Sequence, residues 1–438
     1  MLPCVGADPR VCPNSGNRHS STDHPYNKMK KPILLICLLA AALAASAQGN
    51  NTRMGGDDGD YQSLAERVAK IEKKNDMFNV YFNYAASAQL KDDGEKWTSG
   101  FANKDLRFEI KGNLTDKIFY RLRHRLNRSN AAMGEDNFAK ATDFMMVGYH
   151  LNDKLTFMGG KMGQIWGGYE YDENPMYIYQ YSDLLDHMDI FHTGFVASYK
   201  PVPTQEIALE VCDASNGKLE EDYGGYVVTF GESFKPLEQA NHPLTFIANW
   251  NGSFFGDKLQ TRWAWGIQTL AKGTYSRELT LGQRLNLPKL QWYLDYVACF
   301  DDMDRLGIAT ADLVSFYRPD FDYFYSNRFY YPNSTLRCGK VHYYSFTTKL
   351  NWQFAPHWNL MLKSSFVNAS KKNAEMFKNY RRSLSGITSL EYYPDKTQDF
   401  RVFLAYLGQK VDYTEKTTLT DYNTNRFELG FMYRIKCY

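Results

Sequence analysis

Polar and apolar side chains alternate along much of the chain with a period of two residues. In the segment KIFYRLRHRLNR, Arg121, Arg123 and Arg125 occupy every second position, and apolar residues such as Leu122 fill most of the positions between them. Successive side chains of a β-strand leave opposite faces, so this segment predicts a strand with one basic and one apolar face. The pattern recurs from Met77 to the end of the chain, which predicts a protein built mainly from such strands.

Short polar or proline-bearing connections separate the alternating segments and predict hairpin turns. Seven occur, at Asn113–Asp116, Asn152-Asp153, Pro201–Thr204, Gly256-Asp257, Leu287-Pro288, Ala355–His357 and Pro394–Lys396. Long connections are expected around residues 91–100, 129–141, 164–189, 214–242, 271–276, 301–338, 369–383 and 411–424. With both chain ends beside the short turns, this order predicts sixteen antiparallel strands running up and down. We assign Tyr226–Phe230 to the fourth long loop; eighteen strands are the alternative.

Composition decides what these strands face. The 438-residue chain is 16% aromatic and its mean hydropathy is −0.51, and it lacks the several apolar runs of about 20 residues that a helical membrane protein needs. Together with the alternation, this predicts an all-β transmembrane barrel over residues 77–438, with lipid outside and water inside. An extracellular β-sandwich or repeat protein is the alternative. The net charge of +2 does not indicate nucleic acid as a partner.

The one long apolar run predicts export. Ile33–Ala47 follows Met29 and two lysines and ends in Ala45-Ser46-Ala47, which is the pattern of a secretory signal peptide over residues 29–47. Residues 1–28 carry no targeting pattern, and we interpret them as an upstream extension that precedes the natural start.

A short helix is expected between the signal peptide and the first strand. Residues 48–60 are small and polar and predict a flexible leader. Residues 61–76 then follow helical spacing through Leu64, Val68 and Ile71. This spacing predicts either the seam of a short coiled coil at a symmetry axis or a periplasmic helix that packs on the barrel or stays frayed.

No catalytic, cofactor or metal signature is recognisable in the sequence. Nucleophile-elbow, zinc-protease and phosphate-loop motifs do not occur, and the cysteines form no CxxC or His/Cys cluster. We therefore expect no cofactor and no enzyme; a hydrolase site inside the barrel is the alternative, although so wide a barrel favours a water-filled lumen. Cys299 and Cys338 flank one long loop and suggest a disulfide, but their alternation phases point to opposite faces.

The arginines of the third strand are the clearest candidate site. Arg121, Arg123 and Arg125 are predicted to stand about 7 Å apart in one lumenal column. Arg107 of the preceding strand is predicted to pair near Leu122 and to lie diagonal to the column. Guanidinium groups stay charged and offer paired donors to phosphate, sulfate or carboxylate.

Two interpretations of this column remain open. A ladder of cations at this spacing can pass an anion from site to site without trapping it. Alternatively, the lumen is an ordinary polar one, in which Asp105 and Glu109 neutralise the neighbouring arginines.

The segment Gly160–Asp189 is the second candidate. Its Gly167-Gly168 pair allows a sharp turn, and its aromatic and acidic residues break the alternation. As the third long loop, it either folds inward and narrows the pore, with its acidic side chains opposing the arginine column, or lies over the outer rim. The residues expected at this constriction are Trp166, Gly167, Gly168, Tyr169, Asp172, Glu173, Asp183 and Asp186, with Asp189 as a further acidic neighbour.

Three features together resemble the phosphate-selective porin O/P family in the form common in Bacteroidetes outer membranes. They are the segment GKMGQIWGGYEYD with the following YQYSD, the arginine-bearing strand after GNLTDKIFYRLR, and the helix before the first strand. The resemblance covers about Leu64–Tyr438. It implies a sixteen-stranded barrel, usually a trimer, that conducts small anions passively, with the family's arginine ladder at Arg121, Arg123 and Arg125.

The sequence therefore predicts an integral outer-membrane porin for passive diffusion of small hydrophilic solutes, tilted toward anions such as phosphate, with both termini periplasmic. The final strand ends in an aromatic residue and resembles the signal read by the barrel-assembly machinery, although Tyr438 lies one residue past the usual register. Expected partners are the solute, outer-membrane lipid, that machinery and further copies in a homotrimer. Alternatives are a general or hydrophobic-solute channel and a surface-adhesion barrel with a closed lumen.

Overall fold

A computed structural model describes residues 62–69, 77–131, 138–223, 226–228, 235–325, 336–394 and 399–437. All of these residues belong to one compact unit, Gly49–Tyr438. The predicted upstream extension (1–28), signal peptide (29–47) and leader (48–60) lie outside the described residues, as does the terminal Tyr438.

Sixteen antiparallel strands close into a barrel with up-and-down order. Each strand pairs with the next, and the last pairs with the first from Tyr81 and Lys436 to Asp92 and Asn425. Numbered β1 to β16, they are Asn79–Asp92, Trp97–Asn113, Ile118–Arg125, Thr142–His150, Leu155–Gly163, Phe191–Val202, Gln205–Asp213, Leu244–Phe254, Leu259–Gln268, Ser276–Leu287, Leu290–Met303, Leu336–Ala355, Trp358–Lys371, Arg381–Tyr392, Phe400–Tyr413 and Tyr422–Lys436. The predicted fold class and strand number are confirmed.

Six of the seven predicted turns join consecutive strands at one end of the barrel, which we call the short-turn end; the other is the long-loop end. The seventh, at Pro394–Lys396, falls between β14 and β15, and its residues from 395 on lie outside the described residues. One helix precedes β1, and the others lie in long loops. They are α1 (Leu64–Ala69), α2 (Asp183–Asp186), α3 (Leu219–Tyr223) and α4 (Ile308–Tyr325). Within the described ranges, no helix combines the length and apolar character needed to cross a membrane.

Burial follows the predicted alternation, with the polar side chains inside. On β9, Arg262 is buried, whereas Trp263 and Trp265 on either side of Ala264 are 39% and 50% exposed. On β16, Glu428 is buried beside the exposed Leu429. Because a closed barrel satisfies its backbone groups internally, its apolar outer face suits lipid while the lumen holds the charged groups.

Part of the inner face is apolar, which the alternation did not indicate. Met158 and Val196 point inward and form a buried cluster with Leu64 of α1 and Trp166 of the third long loop. Leu64 therefore packs against the inner face of the barrel wall. Ile71 of the predicted coiled-coil seam lies outside the described residues.

Two connections bear on the predicted order of strands and loops. β1 and β2 stay paired up to Asp92 and Trp97, so the loop expected over 91–100 is a tight turn, and that expectation is wrong. Tyr226–Val228 pairs in parallel with the first residues of β12 and does not enter the barrel order, in agreement with its assignment to the fourth long loop.

The two cysteines that flank the sixth long loop are free thiols. Cys299 and Cys338 are both buried in one apolar cluster, so they do not lie on opposite faces of the barrel wall. The Cys299 thiol donates to a Glu278 carboxylate oxygen at 3.6 Å instead of forming the suggested disulfide.

Candidate functional site

Arg107 lies directly opposite Arg125 on the inner face of β2 and β3. The predicted pairing of Arg107 near Leu122 is wrong. The turn closes later than expected, with the Leu114 backbone N–H donating to the Ile118 carbonyl at 2.8 Å. Directly opposed residues of an antiparallel pair share a face, so an inward arginine needs an inward partner, and the outward Leu122 does not qualify.

Asp143 of β4 contacts three of the four arginines, and the sequence pattern did not indicate it. Its Oδ2 lies 2.9 Å from Arg123 Nε, and its Oδ1 lies 2.6 Å from Arg125 Nη2. The third contact, to Arg107 Nε, is longer at 3.7 Å. A β-bulge leaves Asp143 as an extra residue beside the inward Phe144, whereas strict alternation would place it outward.

Asp105 and Glu109 also pair with neighbouring arginines. Glu109 Oε1 lies 2.7 Å from Arg121 Nε, and Asp105 Oδ1 lies 3.0 Å from Arg107 Nε. The column is therefore compensated along its length by carboxylates on β2 and β4, as the second interpretation of the sequence described.

The column divides into a covered half and an open half. The guanidinium carbons of Arg121 and Arg123 lie 4.2 and 4.6 Å from the ring centre of Phe144, which covers them. Arg107 and Arg125 instead line a cavity of about 370 Å³ between β2–β6 and the third long loop. Its other charged lining residues are Arg128, Lys140, Lys161, Asp143, Asp186 and Asp189. Five basic and three acidic groups thus line this cavity.

The third long loop, expected around residues 164–189, spans residues 164–190 between β5 and β6 and enters the barrel. Gly167 and Gly168 have φ angles of 73° and 71°, in the left-handed region that favours glycine. The Gly168 backbone N–H donates to the Arg262 carbonyl at 3.0 Å. The predicted sharp turn therefore directs the chain across the lumen toward β9, and a side chain at either position would strain it.

Asp295 and Glu170 fix the next part of the loop. The backbone N–H groups of Tyr169 and Glu170 both donate to Asp295 Oδ2 at 2.8 Å. Glu170 in turn accepts from the Ser182 backbone N–H at 2.6 Å, from the Ser182 hydroxyl at 2.8 Å, and from Lys363 Nζ at 2.6 Å. One buried carboxylate thus joins two halves of the loop to β13.

Trp166 and Tyr169 hold the start of the loop. Trp166 is fully buried, and its indole N–H donates to Gln164 Oε1 at 2.9 Å. The ring of Tyr169 lies 4.4 Å from the guanidinium carbon of Arg262 and 4.8 Å from that of Arg284. Both aromatic side chains therefore hold the start of the loop against the barrel wall.

The acidic residues of the loop do not all oppose the arginine column. Three of them pair with basic residues of the far wall: Asp172 with Arg262 at 3.0 Å, Asp183 with Arg381 at 2.5 Å, and Glu173 with Lys349. For these three the expectation is wrong. Asp186 and Asp189 do line the cavity that the open arginines face. Burial raises the pKa of Tyr181, another lining residue, to about 12, so its hydroxyl adds no charge there.

Comparison with known proteins agrees with this architecture. The family model of the phosphate-selective porins O and P matches residues 78–435. No curated protein matches the sequence.

Three solved structures show the same fold at low sequence identity. The outer membrane channel DcaP of Acinetobacter baumannii is 9% identical with a TM-score of 0.53, over 82% of this chain and 97% of that one. OmpT of Vibrio cholerae is 12% identical with a TM-score of 0.50, over 84% and 100%. The anion-selective porin from Comamonas acidovorans is 8% identical with a TM-score of 0.50, over 82% and 99%. Because the family model covers most of the barrel, this chain belongs to the phosphate-selective porin O and P family and is an integral outer-membrane porin.

Proposed function

We propose that this porin passes small hydrophilic anions such as phosphate by passive diffusion, and that Arg107 and Arg125 set its selectivity. The observation that carries the proposal is the cavity beside the third long loop, with its five basic and three acidic lining groups. Fixed cations around a narrow aqueous passage attract anions and repel cations. Residues 164–190 form the constriction, and no cofactor or energy coupling takes part.

Arg121 and Arg123 have a weaker role in this proposal. They extend the basic surface toward the short-turn end, where Lys111 lies opposite Arg121. Phe144 covers the guanidinium groups of these two arginines at 4.2 and 4.6 Å, which reduces their contact with a passing anion. We therefore assign the selectivity to Arg107 and Arg125, and not to a complete ladder through Arg121, Arg123 and Arg125.

The proposal includes a cellular arrangement. Outer-membrane barrels place short turns in the periplasm and long loops outside, which supports periplasmic termini. The signal-peptide pattern of residues 29–47 supports export before barrel assembly. A homotrimer is proposed from the family resemblance.

Replacing Arg107 and Arg125 together by Gln should abolish most of the anion preference. Two of the five basic groups at the cavity are removed, so basic and acidic groups become equal in number. The measurement is the zero-current potential of single channels in a planar bilayer under a KCl gradient.

The matched control replaces Arg277 and Arg382 by Gln. Both are exposed on the outer face, on β10 and β14, so the same charge is lost away from the lumen. An unchanged potential in the Arg107/Arg125 variant, or an equal shift in the control, would show that these two arginines do not set the selectivity. An unselective parent channel would favour the general-porin alternative.

A further inference from the structure

Helix α1 is held inside the barrel. A capping box fixes its start: the Glu66 backbone N–H donates to Ser63 Oγ at 3.3 Å, and the Ser63 backbone N–H donates to Glu66 Oε2 at 2.7 Å. Leu64 and Ala65 are each 4% exposed and pack with inward residues such as Val196. A helix of 6 residues is marginal on its own, so this burial stabilises it.

Glu206, next to the short turn between β6 and β7, binds the start of the helix. Its two carboxylate oxygens accept the Leu64 backbone N–H at 3.1 and 2.8 Å. Asn251 Nδ2 donates to the same carboxylate at 3.1 Å, and the Ser198 hydroxyl also donates to it. A fully buried carboxylate is costly unless its acceptor positions are filled, and the helix fills part of them. The barrel wall is thus built to hold α1.

Arg67 connects α1 to the third long loop. Its Nε lies 3.5 Å from Asp172 Oδ2, and that same oxygen lies 3.0 Å from Arg262 Nη1 on β9. The side chains of Arg67 and Arg262 are only 11% and 6% exposed, so salt screens this cluster little. Asp172 therefore joins the helix, the loop and the wall.

We propose that α1 is a built-in plug segment that narrows the short-turn mouth and, through Arg67, supports the third long loop in its inward position. The loop descends from the long-loop end and the helix enters from the short-turn end, and the two meet at Asp172. The inference rests on the proposed channel but not on its anion preference. Arg67 is a positioning residue here, because it affects the channel only by holding Asp172 of the third long loop.

A cross-link tests the position of the helix in the intact protein. Lys200 Nζ lies 3.8 Å from Glu66 Oε1, and the two side chains are 27% and 58% exposed. The pair Glu66→Cys and Lys200→Cys, with the exposed Cys437 changed to Ser, should be joined by a short bismaleimide in the folded protein. The matched control, Glu66→Cys with Pro356→Cys at a short turn on the far side of the barrel, should not be joined. Failure of the first pair overturns the proposal.

Single-channel conductance tests whether the plugged state is the native one. If α1 occupies the mouth, the cross-linked channel conducts as much as its uncross-linked parent; a lower conductance after cross-linking would show that the helix normally lies outside. Leu64→Asp places a charge in the apolar cluster and should raise conductance and current noise. Gln62→Asp, which adds the same charge outside the cluster, should not. Unchanged conductance in Leu64→Asp also contradicts the proposal, and none of these readouts depends on ion selectivity.

Discussion

Replacing Asp143 by Asn should destabilise the barrel by about 3–5 kcal/mol and raise its anion preference at the same time. Asp143 is 1% exposed and contacts Arg107, Arg123 and Arg125. Asn keeps the size of the side chain but removes the negative charge, which leaves Arg123 and Arg125 without their carboxylate partner, while Arg107 keeps its pair with Asp105. The same loss gives the cavity a larger excess of positive charge.

Thermal unfolding in detergent, followed by the loss of β-sheet circular dichroism, measures the first effect, and the zero-current potential measures the second. Asp412→Asn is the matched control, because Asp412 is 42% exposed and its pair with Lys410 at 2.7 Å lies on the surface. Such pairs contribute about 0–1 kcal/mol. Unfolding of Asp143→Asn at the parent temperature would contradict the buried ion cluster, and an unchanged potential would contradict a role in the cavity field.

Replacing Glu170 by Gln should weaken the attachment of the third long loop to the wall and give a larger, noisier channel. Glu170 and Lys363 form an ion pair at 2.6 Å, with side chains 6% and 5% exposed. Breaking such a buried pair costs on the order of 3–5 kcal/mol. A loss of about 3 kcal/mol raises the population of the released loop roughly a hundredfold, since about 1.4 kcal/mol corresponds to a factor of ten.

Single-channel recordings measure this effect as a higher mean conductance and more frequent transitions between current levels. Glu238→Gln is the matched control, because Glu238 pairs with Lys272 at 3.2 Å in exposed loops, with side chains 65% and 71% exposed. Recordings of Glu170→Gln that match those of the parent would show that Glu170 does not hold the loop.

The fold was predictable because the alternation within each strand shows which side chains face the lumen and which face lipid. The alternation of Arg262 with Trp263 is read within two residues, and the short turns can be counted without knowing which strands pair. A local pattern does not reveal a bulge, however. Asp143 faces inward only because a β-bulge shifts the register between β3 and β4 beside it. The sequence pattern therefore missed the carboxylate that contacts three of the four arginines.

The loop and the helix show why the rest of the site could not be predicted. The Gly167-Gly168 turn was visible, but the partner of Glu170 lies 193 residues away in the chain. Leu64 fits a coiled-coil seam and a buried contact equally well by spacing. Only the closed barrel brings Glu206 and Asp172 to α1, because contacts of this kind depend on how the wall curves around the lumen.

The zero-current potential of the unmodified channel in a KCl gradient shows directly whether the pore prefers anions. Because fixed cations line the opening around Arg107 and Arg125, we predict an anion preference that weakens as the salt concentration rises and screening increases. A potential showing no preference or a preference for potassium would contradict an anion-selective pore.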